Sequence, residues 1–77
     1  MNLETQALFN LTVNSREVLD VIYYYYHLQD DKERIDSFAI WLKQYFYRLD
    51  NKEKVDWYEL SKQLLETIKS DYIRFGD

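Results

Sequence analysis

The chain has 77 residues, a net charge of −4 and no cysteine, so neither disulfides nor a cysteine-based zinc site can stabilise it. This length predicts one small domain, residues 1–77, held together by the apolar residues that make up 47% of the sequence. The acidic balance and the dispersed lysines and arginines make nucleic-acid binding an unfavoured function, because contact with phosphates requires clustered basic residues.

The sequence begins MNLETQALFN, without the basic region and the long apolar stretch of a secretory signal peptide. No run in the chain approaches the roughly 18–20 apolar residues that span a bilayer. We therefore expect a cytoplasmic protein without a membrane-bound segment.

Proline is absent and Gly76 is the only glycine. A β domain with several tight turns would need more of both residues, so helices joined by short polar connections are favoured. We predict an all-α fold, a small bundle of three or four helices.

Residues 1–13 fit two patterns. Their leucines and alanine recur at a spacing that suits a short helix, whereas the alternation from Phe9 to Val13 suits a strand. An isolated strand would have no evident partner, so we predict a helix here.

The next helix is predicted to begin at Asn14, with Glu17 three residues later as in a capping box. It continues through VLDVIYYYY, whose β-branched and aromatic residues also favour a strand. Continuity from the cap, and the lack of a second strong strand candidate, favour the helix.

A helical wheel divides this segment into two sides. The side predicted to be buried carries Val18, Val21, Ile22, Tyr25 and Leu28, with Leu19 and Tyr26 at its flank. The opposite side carries Asp20, Tyr23, Tyr24 and His27. Tyr23 and Tyr24 then lie at the solvent boundary, or under the N-terminal segment, or on a partner-binding face.

A long helix over residues 31–49 is predicted to follow the Asp30–Glu33 capping box. Its apolar stripe comprises Ile35, Phe38, Ala39, Leu42, Tyr45, Phe46 and Leu49. Ile40 and Tyr47 face away from that stripe, two turns apart, and Trp41 lies at its boundary. Such a pair is typical of helices that anchor in a groove, or of a surface that another helix or a second copy covers.

The last helix is predicted over residues 57–74, after an Asp56–Glu59 capping box, and Gly76 marks its end. Its buried stripe comprises Trp57, Leu60, Leu64, Ile68 and Tyr72. Its opposite face alternates in charge, as is typical of a solvated surface. Asp50 with Glu53 is a competing start, predicting a short helical turn before this helix.

Catalytic and metal sites are not indicated. His27 is the only histidine, and none of the serines lies in a nucleophile-elbow motif. Asp20 and His27 alone make a poor metal site, and a chain with one glycine cannot form a phosphate-binding loop. We therefore expect a protein that is not an enzyme and binds neither metal nor cofactor.

A helix-turn-helix is the nucleic-acid-binding alternative, because residues 48–70 join two helices through a polar turn. That turn is longer than the usual 3–4 residues and lacks glycine, and the charge of the chain opposes binding to phosphate.

The leading hypothesis is a protein-binding module that regulates or inhibits a larger protein in a stoichiometric complex, of the kind that a phage or mobile element encodes against a host. The predicted contact residues are Tyr23, Tyr24, Ile40, Trp41 and Tyr47, with Asp20 and His27 at the rim. A homodimer whose interface uses the same residues is the structural alternative.

Overall fold

The structure, a computed structural model, describes the backbone of residues 1–76 and the side chains of residues 1–67. Over that range the chain forms α1 (Leu3–Thr12), α2 (Arg16–Tyr26), α3 (Asp31–Tyr45), one turn of 3₁₀ helix (Lys52–Lys54) and α4 (Trp57–Gly76). The described residues include no strand, so the predicted all-α bundle is confirmed, with a helix at the N-terminus. None of the described helices combines the length and apolar content needed to cross a membrane.

Helix α4 packs against each of the other three helices, and α2 also packs against α3. The apolar residues with no solvent exposure follow the predicted stripes; they are Val18, Ile22, Phe38, Leu42, Leu60 and Leu64. Ile68 and Tyr72 lie outside the described side chains. The core is therefore built on α4, and each of the other helices presents one apolar face to it.

The predicted caps of α3 and α4 are confirmed. The backbone N–H of Glu33 donates to Asp30 Oδ1 at 3.0 Å, and that of Glu59 donates to Asp56 Oδ1 at 3.0 Å. These bonds satisfy backbone donors that the first turn of a helix leaves unpaired, and the carboxylates also complement the positive end of the helix dipole.

The predicted cap of α2 is wrong by one residue. Ser15, not Asn14, precedes the helix, and its Oγ accepts from the backbone N–H of Val18 at 3.3 Å. Asn14 instead donates from Nδ2 to the carbonyl of Asn10 at 3.3 Å, at the end of α1. Because α1 continues to Thr12, Asn14 lies in the short connection between the two helices. Its side chain hydrogen-bonds to α1 and does not cap α2.

Helix α3 ends at Tyr45, four residues before its predicted end. Phe46 leaves the helical conformation (φ −105°, ψ 30°), and the N–H of Leu49 donates to the carbonyl of Phe46 in a following turn at 3.0 Å. Phe46 and Leu49 still pack against the core, from this turn rather than from a helix. The short helical turn predicted at Asp50 forms two residues later, over Lys52–Lys54, without a side-chain cap.

Two hydrogen bonds join α1 to the segment that begins α4. Thr5, which is fully buried, accepts at Oγ1 from the backbone N–H of Asp56 at 2.9 Å. Asn2 donates from Nδ2 to the carbonyl of Lys54 at 2.7 Å. These polar contacts, 51 and 52 residues apart in sequence, fix the N-terminal helix against the rest of the fold.

Replacing the α2 cap tests the revised start of that helix. Ser15→Ala is expected to lower the free energy of unfolding by about 0.5–2 kcal/mol, because the N–H of Val18 loses its acceptor. Asn14→Ala is the matched control and should change it by less than about 0.5 kcal/mol, since its bond is exposed. Urea denaturation measures both; a larger loss for Asn14→Ala would contradict the assigned cap.

A second pair of variants tests the contact between α1 and α4. Thr5→Val keeps the buried shape but removes the acceptor for Asp56, and we expect it to cost about 1–3 kcal/mol of unfolding free energy. Ser61→Ala is the control, because the buried Ser61 Oγ has no hydrogen-bond partner among the described residues and its removal should be neutral or stabilising. Equal losses in urea denaturation would show that the Thr5 hydrogen bond does not contribute.

Candidate protein-binding surface

Nine large apolar or tyrosine side chains are exposed among residues 1–67. Five of them come from α2, α3 and the turn after α3: Tyr23, Tyr24, Ile40, Tyr45 and Tyr47. The other four are Met1, Leu3 and Leu11 near the N-terminus, and Tyr58 in α4. Exposed aromatic groups are thus concentrated between residues 23 and 47.

The burial of Val18 and Ile22, one turn apart, fixes which side of α2 faces solvent. Tyr24 is 70% exposed and Tyr23 is 47% exposed. Tyr25 and Tyr26 are half-buried, as the wheel predicts. Helix α1 packs against α4 and leaves both exposed tyrosines accessible, so the N-terminal segment is not their cover.

A continuous series of ring contacts connects α2 with α3. The ring centroids of Tyr24 and Tyr25 are 5.2 Å apart, and those of Tyr25 and Phe38 are 5.8 Å apart. Phe38 stacks on Trp41 at 6.0 Å, and Trp41 stacks on Tyr45 at 5.0 Å. We call these five residues the aromatic row. Its middle member, Phe38, is fully buried, whereas Tyr24 and Tyr45 at its two ends are exposed.

Tyr45 corrects one prediction and adds a residue to the surface. The sequence pattern places it in the buried stripe of α3, but it is 38% exposed and lies against Trp41. Trp41 is four residues earlier, so the two rings are neighbours on one side of the helix. The spacing of four residues between Trp41 and Tyr45 is the sequence signal that could have assigned both rings to one surface.

Ile40 and Tyr47 are both exposed, but they do not form the predicted pair on one helix. Ile40 lies two residues after the buried Phe38, which is a rotation of roughly 200° and places it opposite the core. Tyr47 follows the end of α3, where the guanidinium of Arg48 lies 5.2 Å from its ring and Arg48 Nε donates to its hydroxyl at 2.7 Å. The two residues therefore lie outside the aromatic row.

The polar residues predicted at the rim are exposed. His27 forms the C-cap of α2 and makes edge contacts with the rings of Tyr23 at 5.0 Å and Tyr26 at 5.8 Å. Asp20 pairs with Arg16 at 3.7 Å, and both side chains are largely solvated. Among the described residues, no group of three histidine, cysteine or acidic side chains could hold a metal ion.

A groove of about 270 Å³ lies where the end of α2, the start of α3 and α4 meet, and sequence reasoning did not identify it. Its lining comprises Tyr26, Asp31, Arg34, Ile35, Lys62, Leu65 and Glu66. The Arg34 guanidinium lies 5.8 Å from the ring of Tyr26 and pairs with Asp31. The arginine in this groove is thus already held by an aromatic ring and a carboxylate of the same chain.

No protein-family model matches this chain, and neither a curated protein nor a solved structure matches it.

Two substitutions distinguish the exposed end of the aromatic row from its buried centre. Tyr24→Ala should change the free energy of unfolding by less than about 0.5 kcal/mol, because this ring is mostly in solvent. Phe38→Ala should lower it by about 3–5 kcal/mol, because it leaves a cavity among α2, α3 and α4. Urea denaturation followed by circular dichroism measures both. A loss above about 1 kcal/mol for Tyr24→Ala would show that the ring contributes to the core.

Proposed function

We propose that this chain is a non-enzymatic protein-binding module that acts by occupying a surface of a larger protein. The observation that supports the proposal is the aromatic row, which is anchored in the core at Phe38 and exposed at Tyr24 and Tyr45.

Tyrosine and tryptophan are enriched at protein interfaces, because each offers a large contact area with few rotatable bonds. In this chain the rings also restrain one another through stacked and edge contacts. Less side-chain freedom is then lost on binding than with isolated surface tyrosines, so more of the contact energy contributes to affinity.

Within this surface the accessible members of the aromatic row form the main contacts, and Tyr23 extends them along α2; these members are Tyr24, Tyr25, Trp41 and Tyr45. Asp20 and His27 form the polar rim. Ile40 and Tyr47 provide a second group of contacts on the outer side of α3 and its following turn. The specific form of this proposed function is a regulator or inhibitor that a phage or mobile element encodes against a host protein. It is supported by the small size of the chain and by the large share of its exposed rings that lie in this surface.

Affinity capture from a bacterial lysate tests the proposal with variants that leave the core intact. The wild type is expected to retain a protein partner in a one-to-one complex. Tyr24→Ala/Tyr45→Ala should reduce retention at least about tenfold, as loss of aromatic contact residues does. Tyr58→Ala is the matched control, because Tyr58 is a similarly exposed tyrosine, on α4 (49%), and should not affect retention.

Ile40→Ala/Tyr47→Ala tests the second group of contacts separately. Retention of the same partner by the wild type and Tyr24→Ala/Tyr45→Ala alike would contradict the proposed surface. Sedimentation of the purified chain addresses the alternative: a stable dimer of the wild type that Tyr24→Ala/Tyr45→Ala converts to a monomer would assign the same surface to self-association.

A further inference from the structure

The net charge of the chain resides entirely in its first half. Residues 1–36 contain seven acidic and three basic side chains, which gives −4, whereas residues 37–77 contain seven of each. The first half comprises α1, α2 and the beginning of α3. Tyr24 therefore belongs to the acidic half of the sequence, and we take the complementary charge on a partner to be positive.

The chain itself shows how a tyrosine of this fold binds an arginine. The Arg34 guanidinium lies over the ring of Tyr26 and pairs with the carboxylate of Asp31. The Arg48 guanidinium lies over the ring of Tyr47. A planar guanidinium can stack on an aromatic face while its N–H groups remain free to donate to a carboxylate.

Tyr24 also combines an exposed aromatic ring with nearby carboxylates, but no arginine of the described residues lies over it. Within the described part of the chain, its ring contact is an edge contact with Tyr25, and no cation lies over its exposed face. Asp20 precedes it by four residues and Glu17 by seven, so both carboxylates lie on its side of α2. Among the described side chains Asp20 pairs only with Arg16; this pair is largely solvated, so a competing arginine can displace it at little cost.

We propose that Tyr24, Asp20 and Glu17 form a receptor for an arginine side chain of the partner, presented by a basic segment of that protein. The guanidinium stacks on the Tyr24 ring and donates hydrogen bonds to the two carboxylates. This inference rests on the proposed function and specifies the chemistry of the partner.

A second copy of the chain fits this surface less well than a basic partner. In a two-fold symmetric dimer whose axis passes near Tyr24, Asp20 and Glu17 would approach their own copies and repel them. A lysine-rich partner would satisfy the charge but not the stacking, because an ammonium group lacks the planar face of a guanidinium.

Titration with octa-arginine and with octa-lysine, followed by amide NMR shifts of the full chain at low salt, tests the receptor. Octa-arginine is expected to bind about two- to fivefold more tightly, with the largest shifts in α2 around Tyr24. Tyr24→Leu should abolish the preference for arginine without changing the net charge. Tyr58→Leu, the control for a lost exposed ring, should preserve it.

Charge variants test the carboxylates. Asp20→Asn should weaken octa-arginine binding more than Asp36→Asn, which removes the same charge from an exposed position of α3. Arg16→Ala should strengthen binding more than Lys32→Ala, because it frees Asp20 as well as removing a positive charge.

Equal affinity for the two peptides, or largest shifts in α3 and α4, would overturn the arginine receptor. So would amide shifts that change with protein concentration alone and map to Tyr24, because they would indicate a second copy at this site. Capture of a partner that depends on Tyr24 and Tyr45, without a preference for arginine, would leave the proposed function intact and reject only its arginine chemistry. A preference for octa-arginine that depends on Tyr24, together with partner capture that does not depend on Tyr24 and Tyr45, would give the opposite outcome. It would retain the arginine receptor and reject the protein-binding function assigned to the aromatic row.

Discussion

The burial of Val18 and Ile22 is the constraint on which the exposed surface depends. Both side chains are fully buried, and each contributes about 1.5–3 kcal/mol relative to an exposed position. A rotation of α2 that hid Tyr23 and Tyr24 would bring these aliphatic residues into water. The core thus determines that two tyrosines remain outside it, because one helix cannot bury four consecutive rings on a single side.

Phe38 connects this constraint to α3. Its ring is fully buried, yet it contacts the half-buried Tyr25 on one side and Trp41 on the other. The exposed rings at the ends of the row are therefore held by contacts that continue into the core. Tyrosine side chains held in this way are more ordered than isolated surface tyrosines. Their order comes from the same packing that stabilises the fold.

The proposed arginine receptor adds a chemical preference to the shape of this surface. Since residues 1–36 carry the net charge of −4, and Asp20 and Glu17 lie on the Tyr24 side of α2, we propose a positively charged partner. The contacts of Arg34 and Arg48 with Tyr26 and Tyr47 show that guanidinium–tyrosine pairs are compatible with this fold. The proposed module and its proposed arginine receptor thus share one physical basis, an exposed ring beside carboxylates.

Local sequence patterns predict the helical class, the caps at Asp30 and Asp56 and the outward direction of Tyr23, Tyr24 and Ile40, because capping and amphipathic spacing are local properties. Three other features arise from contacts between distant parts of the chain. Phe46 and Leu49 pack against the core from the turn after Tyr45, although α3 has already ended. Thr5 accepts from Asp56, 51 residues away, and the rings from Tyr24 to Tyr45 form one row across two helices. These features depend on how the helices pack together, which periodicity within one helix does not specify.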